Sequence, residues 1–141
     1  MFDIVLLAER LIQATQWVSE HPQTRDLRIG YFGASTGAAA ALVAAAQSKT
    51  GIGAVVSRGG RPDLAGPHLA RVRAPTLLIV GGLDTQVIEL NREALAELRC
   101  EKKIEIVPGA THLFEETGTL DRVIELAGPW FASHLSATAE E

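Results

Sequence analysis

Two kinds of hydrophobic pattern alternate along the chain and predict its elements. In two segments, residues 3–20 and 87–98, apolar residues recur every three or four positions, a spacing that is typical of helices packed on one face. Helices are also predicted at the alanine-rich segment 35–47 and at 120–135, with a bend expected at Gly128-Pro129 and a shorter helix expected at 67–72. Short apolar runs instead predict strands. The predicted strands are residues 27–32, 53–57, 76–80 and 103–107.

The order of these elements predicts an α/β fold. Strands that alternate with helices form right-handed βαβ units, which place the strands side by side and parallel. We therefore expect a three-layer sandwich with a mostly parallel sheet of about four strands. The alanine-rich segment 35–47 is expected to be the most buried helix, and the alternating strand 103–107 is expected at an edge.

Composition narrows the class of protein. With 47% hydrophobic and 21% charged residues over 141 positions, the chain is predicted to be one globular domain over residues 1–136 and a polar tail over 137–141. A net charge of −4 argues against a nucleic-acid partner. The apolar runs are too short for a membrane span. Cys100 is the only cysteine, which favours a reducing, cytoplasmic setting.

Candidate chemistry follows the carboxyl ends of three predicted strands. Ser35, Asp84 and His112 follow the first, third and fourth strands. Ligand sites in parallel sheets lie beyond these strand ends, so we expect the three side chains to lie close together there. Residues 33–37 also read Gly-Ala-Ser-Thr-Gly, which fits the G-x-S-x-G pattern of a nucleophile elbow, with both glycines expected to be needed sterically.

These residue types suit nucleophilic catalysis. A serine hydroxyl needs a neighbouring base, and the base needs an orienting acceptor. We assign Ser35 as nucleophile, His112 as general base and then acid, and Asp84 as the orienting carboxylate. Asp63 is an alternative acid because it also follows a strand. The backbone N–H of Thr36 is the expected oxyanion donor.

Other candidate groups remain open at this point. Arg58 and Arg61 flank a Gly-Gly pair and are either surface charges or a clamp for an anionic part of the substrate. His, Cys, Asp and Glu residues show no metal-ligand spacing, so neither a metal nor a cofactor is expected. The glycines do not fit the dinucleotide pattern G-x-G-x-x-G. Asp84 could instead cap a helix. Glu115 and Glu116 are expected to cap the last helix, and the alternative is that either of them lines the pocket near His112.

Four segments resemble the dienelactone-hydrolase-like branch of the α/β-hydrolase superfamily. They are GASTGAAA at 33–40, SRGGRPD at 57–63, APTLLIVGGLD at 74–84 and PGATHLF at 108–114. The resemblance implies an α/β-hydrolase fold and hydrolysis of a small ester, lactone or thioester by Ser35, His112 and Asp84. Dienelactone hydrolases proper carry a cysteine nucleophile where Ser35 stands. Relatives of this branch sometimes carry a phosphoribosyltransferase domain in the same polypeptide, and none is visible in this sequence.

The resemblance also implies about four further strands before the elbow strand, one of them followed by a loop that completes the oxyanion hole. Since the sequence begins at the helix before that strand, we expect a truncated α/β-hydrolase fold with residues 27–32 as an open edge. An open apolar edge favours pairing, so a homo-oligomer through 27–32 is expected. The alternatives to an active enzyme are a fragment that is inactive alone, acting as an oligomerising or binding module, and a binding domain without turnover.

Overall fold

The structure, a computed structural model, describes residues 3–136. Four strands alternate with helices along the chain. The strands are β1 (Gly30–Ala34), β2 (Ala54–Arg58), β3 (Thr76–Gly81) and β4 (Lys102–Val107). The helices are α1 (Ile4–Glu20), α2 (Thr36–Gln47), α3 (Thr85–Glu97) and α4 (Thr119–His134). A 3₁₀-helical segment, Pro62–Arg71, joins β2 to β3 and is kinked at Gly66. The predicted tail, 137–141, lies outside the described residues.

All four strands are parallel and lie in the order β1-β2-β3-β4. Every residue of the inner strand β3 is buried, as expected of a strand covered on both faces. Because each crossover returns to the same end of the sheet, the loops after β1, β2, β3 and β4 all lie beyond the C-terminal ends of the strands. The predicted α/β class and parallel four-stranded sheet are confirmed.

Helices cover the two faces of the sheet unequally. On one face lie α2, α3 and the 3₁₀ segment, with α1 packed beside α2. The run Ala38–Ala44 of α2 is completely buried, because alanine side chains let the helix lie close to the sheet. The other face is covered by α4, whose Val123 and Ala127 pack against β2 and β3. Within residues 3–136, no helix combines the length and the apolar character that a bilayer span requires.

The first strand differs from its prediction. β1 begins at Gly30 rather than at residue 27, because the Leu27 N–H donates to the Thr24 carbonyl in a turn (2.9 Å). β1 forms one edge of the described sheet and its two faces differ. Tyr31 is buried against α1, where its hydroxyl bonds the Thr15 hydroxyl at 2.6 Å and burial raises its pKa. Phe32 points to the opposite face and is 52% exposed.

Candidate active site

Ser35 lies in a strained turn between β1 and α2. Its backbone angles, φ 52° and ψ −128°, fall in a region that costs a non-glycine residue roughly 1–3 kcal/mol. Gly33 makes the turn fit, since a Cβ there would lie 2.6 Å from the Gly37 carbonyl oxygen and 2.8 Å from the Ala38 backbone. The turn is therefore a tightly closed elbow that presents the Ser35 hydroxyl beyond the end of β1.

The second glycine of the motif does not have the predicted steric role. A Cβ at Gly37 would meet nothing within 4 Å. The expectation that both glycines are sterically required is wrong, because the second residue of α2 faces open space rather than the neighbouring strand. Of the two glycines of the motif, Gly33 is the one packed tightly enough to exclude a side chain.

Ser35, His112 and Asp84 form a continuous hydrogen-bonded relay. The Ser35 Oγ lies 2.9 Å from His112 Nε2, and His112 Nδ1 lies 2.9 Å from Asp84 Oδ2. A carboxylate only accepts, so Nδ1 carries the proton toward Asp84 and Nε2 is the acceptor for the Ser35 hydroxyl. Asp84 precedes α3 but makes no side-chain capping bond, so its carboxylate serves His112 instead.

Backbone contacts between neighbouring loops fix this relay. The Gly82 N–H donates to the Val107 carbonyl (2.8 Å) and the Leu83 N–H to the Ala110 carbonyl (3.0 Å). These bonds join the loop that carries Asp84 to the loop that carries His112. A Cβ on Gly81 would overlap the Ala110 carbonyl oxygen, so the two loops are in direct backbone contact.

The His112 loop is also held by Glu116. Its carboxylate accepts from the Thr111 N–H (3.1 Å) and the Thr111 hydroxyl (2.6 Å), and these bonds lower its pKa. The prediction that its side chain caps the last helix is not what the structure shows. Phe114, at the end of the loop, has a φ of 56°. Within residues 3–136, Ser35 and Phe114 are the non-glycine residues with positive φ.

The two arginines have different partners. The Arg61 guanidinium binds the Asp63 carboxylate through two hydrogen bonds, at 3.0 and 2.9 Å. The carboxylate of Asp63, the alternative acid, therefore accepts from Arg61, whereas His112 Nδ1 donates to Asp84. Arg58 instead lies over the Phe114 ring, with 5.4 Å between the guanidinium carbon and the ring centroid.

An open cavity of about 400 Å³ borders the His112 loop on the α4 face. Its lining is apolar apart from one arginine. The lining residues are Phe32, Arg58, Leu113, Leu120, Val123, Ile124 and Ala127. A cleft of about 650 Å³ opens at the opposite end of the sheet, around residues 48–52 and 70–74, but it contains no residue of the relay. Hydrogen-bonded side chains, rather than cavity size, identify the candidate site.

Two further observations complete the site. The His112 side chain is 41% exposed and that of Asp84 17%, so water and small molecules reach the relay. As the first residue of α2, Thr36 has a backbone N–H without an acceptor inside the helix, as an oxyanion donor requires. Residues 3–136 bring no three His, Cys, Asp or Glu side chains together in a group that could hold a metal ion.

Asn91 was not among the predicted site residues. It is fully buried in α3, and its Nδ2 donates to the Gly60 carbonyl (3.1 Å) and the Val87 carbonyl (2.8 Å). The sequence does carry a signal for it. Asn91 lies four residues after Val87 and three before Ala94, so a polar residue interrupts an otherwise apolar helix face.

A parallel sheet whose strand–helix elbow presents a serine to a histidine and an aspartate defines this chain as an α/β-hydrolase-fold protein. A model of the dienelactone hydrolase family matches residues 5–128. The chain therefore belongs to the dienelactone hydrolase family, as the motif resemblance implied.

Solved structures agree with this assignment. A dienelactone hydrolase from Anabaena variabilis is 56% identical, with a TM-score of 0.93 over 94% of this chain and 62% of its own. An esterase domain from a Rhodothermus marinus protein shares the fold at 20% identity, with a TM-score of 0.76 over 92% of this chain and 70% of its own.

Curated relatives are longer and carry a different name. Two Mycobacterium tuberculosis proteins, each called "Putative phosphoribosyl transferase", are 60% identical over 135 residues. The match covers 96% of this chain but only 30% of each relative. The chain thus spans less than a third of these relatives and under two thirds of the Anabaena protein.

Proposed function

We propose that this protein is a serine hydrolase of small esters, lactones or thioesters. The observation that carries the proposal is the relay in which Ser35 Oγ, His112 and the Asp84 carboxylate are joined by two hydrogen bonds of 2.9 Å. This arrangement supplies a nucleophile, a base and an orienting acceptor in the order that an acyl transfer needs. Membership in the dienelactone hydrolase family supports the same class of reaction.

The reaction proceeds in two halves. The Ser35 oxygen attacks the substrate carbonyl while His112 Nε2 takes the hydroxyl proton, and the Asp84 carboxylate stabilises the imidazolium that results. His112 then gives this proton to the alcohol or thiol as its bond to the carbonyl carbon breaks, which leaves an acyl group on Ser35. In a lactone the alcohol stays attached to that acyl group. A water molecule, deprotonated by the same nitrogen, attacks the acyl group. The acid is released and the Ser35 hydroxyl is restored.

Two further roles belong to the proposal. The Thr36 N–H stabilises the oxyanion that forms on the substrate carbonyl, and one such donor is typically worth about 10²–10³ in rate. Arg58 attracts an anionic part of the substrate at the edge of the apolar cavity. Arg61 is the other candidate for this role, but its pairing with Asp63 favours a structural contribution to the loop. No cofactor enters these steps, and the lone free thiol of Cys100 supports a reducing, cytoplasmic setting.

A fluorophosphonate probe tests the proposal, since it reacts covalently with activated serines. We expect one probe per chain, with mass-spectrometric mapping to Ser35 and no labelling of Ser35→Ala. Ser48→Ala is a matched control, because Ser48 lies at the far end of α2 from the elbow. Failure of the folded wild type to react would contradict the proposal and favour a binding domain without turnover.

A second candidate role, oligomerisation, is supported by the exposed edge. Phe32 on β1 and Leu113, Leu120 and Ile124 around the cavity are all more than half exposed. An open strand edge beside apolar side chains favours pairing with another chain. We propose a homo-oligomer that forms through β1 (Gly30–Ala34), rather than through the predicted strand at residues 27–32. Light scattering over a concentration series tests it: Phe32→Asp should shift the population toward monomer, whereas a wild-type monomer at high concentration would contradict it.

A further inference from the structure

We infer that Asn91 is a positioning residue, which holds the Gly59–Gly60–Arg61 loop against both Ser35 and His112. The inference rests on the proposed function for its effect on turnover. Asn91 is a polar residue in an apolar setting: it is 0% exposed, and burying an amide costs free energy where its polar atoms are not hydrogen-bonded. Its Oδ1 has no hydrogen-bond partner among the residues that the structure describes. Its Nδ2 reaches across from α3 to the Gly60 carbonyl at 3.1 Å.

The loop that Asn91 binds has no spare room. A Cβ on Gly60 would overlap Ser57 Oγ and Ala38 Cβ, so the loop is pressed against the first turns of α2. Gly59 has a φ of +54°, and its N–H donates to the Ile79 carbonyl at 2.8 Å. The loop is therefore fixed on the sheet by β3, on α2 by close contact and on α3 by Asn91.

This loop also touches two members of the relay. The Arg61 N–H donates to the Ser35 carbonyl at 3.0 Å, which holds the strained elbow from outside its own helix. A Cβ on Gly59 would lie 3.1 Å from the His112 carbonyl oxygen and 3.6 Å from His112 Nδ1. A shift of the loop would therefore act on the Ser35 backbone through the Arg61 hydrogen bond and on His112 through the close approach of Gly59.

The third member of the relay is connected through the same helix. Asp84 immediately precedes α3, and Asn91 lies about two helical turns further along it. One helix thus places the carboxylate directly and the other two groups through the glycine loop. Misplacement by about 1 Å can cost about 10²-fold in rate, so a single buried amide can influence all three distances.

Asn91→Leu tests the inference because it keeps the branched shape and the number of heavy atoms of the side chain and removes the amide. We expect kcat per probe-titrated Ser35 to fall roughly 10–100-fold. KM should be unchanged, since no binding group is removed. Thr76→Val is the matched control: Thr76 is also fully buried and its hydroxyl donates to the Ala74 carbonyl at 2.9 Å, but it lies at the start of β3, away from the loop, so the loss of this buried hydrogen bond should leave kcat unchanged. If Asn91→Leu fails to fold, Asn91→Ser removes the same amide with a smaller side chain.

An NMR measurement separates this inference from the proposed function. The His112 Nδ1 proton, bonded to Asp84, gives a signal whose exchange with water can be followed without turnover. We expect faster exchange of this proton and of the Arg61 amide in Asn91→Leu, and wild-type exchange in Thr76→Val. Unchanged exchange in Asn91→Leu, or a kcat that follows only its thermal stability, would overturn the inference even in an active enzyme. If the wild type does not react with the probe but exchange is altered in Asn91→Leu, the proposed function is wrong and the inference about Asn91 stands.

Discussion

The elbow and the His112 loop meet at one hydrogen bond but are stabilised in different ways. Ser35 leads into a completely buried stretch of α2, and its turn is closed by backbone packing around Gly33. The His112 loop instead lies at the surface, between the partly exposed edge strand β4 and α4. It is held by the Asp84 bond, by backbone contacts to the β3–α3 loop and by the Thr111–Glu116 bonds.

This difference separates two ways in which the site can fail. The elbow depends on packing, so it is expected to respond to an added atom and hardly at all to pH. The His112 loop depends on charged and polar partners, so it is expected to respond to the loss of a charge while the fold survives. Substitutions that add volume to the elbow or remove charge beside the loop therefore test the comparison directly.

The largest expected effect is on the His112 side. Asp84→Asn keeps the size of the side chain, but its amide can donate toward His112 Nδ1 and stabilise the wrong tautomer. In a serine–histidine–aspartate relay this change lowers kcat by about 10⁴-fold. Steady-state hydrolysis of a p-nitrophenyl ester measures it, with circular dichroism to show that the fold is kept.

Asp63→Asn is the matched control for this prediction. Asp63 also follows β2 closely, but its carboxylate binds Arg61 and not His112. We expect a small loss of stability, because the Asp63 side chain is partly exposed, and a kcat far closer to wild type than that of Asp84→Asn. Equal losses of kcat in the two variants would show that Asp84 is not the specific partner of His112.

A substitution that adds volume to the elbow is expected to lower the stability of the fold. In Gly33→Ala the new methyl group would lie 2.6 Å from the Gly37 carbonyl oxygen, and backbone cannot move aside as a flexible side chain can. Overpacking of this kind typically costs about 1–3 kcal/mol in the free energy of unfolding. Urea unfolding followed by circular dichroism measures it.

Gly37→Ala provides the opposite result within the same motif. Its methyl group would point into open space from the second position of α2, where alanine is favoured over glycine by roughly 0.5–1 kcal/mol. The two alanine variants should therefore change the free energy of unfolding in opposite directions: Gly33→Ala lowers it and Gly37→Ala raises it. A comparable loss in both would mean that the motif is constrained at Gly37 by something other than packing within residues 3–136.

The same contrast explains what could be predicted from the sequence. The elbow is a local feature: a strand, a five-residue motif and an alanine-rich helix follow one another, and chain order alone places Ser35 at the end of β1. Because a parallel sheet gathers its carboxyl ends at one edge, Asp84 and His112 could be assigned to the same edge from their positions after strands. The alternation of strands and helices likewise predicted the α/β fold class.

Contacts between distant segments could not be predicted in this way. Asn91 binds Gly60 across the molecule, and Glu116 turns back to Thr111 instead of capping α4, because neither choice is encoded in local spacing. The pairing of Arg61 with Asp63 likewise depends on how the loop after β2 folds. The start of β1 was misplaced because the apolar Leu27 belongs to a turn and is exposed.

The smallest expected effect concerns Glu116. The Thr111 bonds lower its pKa below the ordinary 4.5, so they stabilise the folded loop above that pH and are lost as pH falls through the lowered pKa. The carboxylate is exposed to water, which limits the contribution. Hydrogen exchange at the Thr111 amide should be slow at pH 7 and faster in Glu116→Gln, with a modest fall in kcat. Glu115→Gln, one residue away, is the control, since it leaves the Thr111 bonds intact. Equal protection of Thr111 in Glu116→Gln and wild type would mean that backbone contacts alone hold the loop, and the proposed difference between loop and elbow would then disappear.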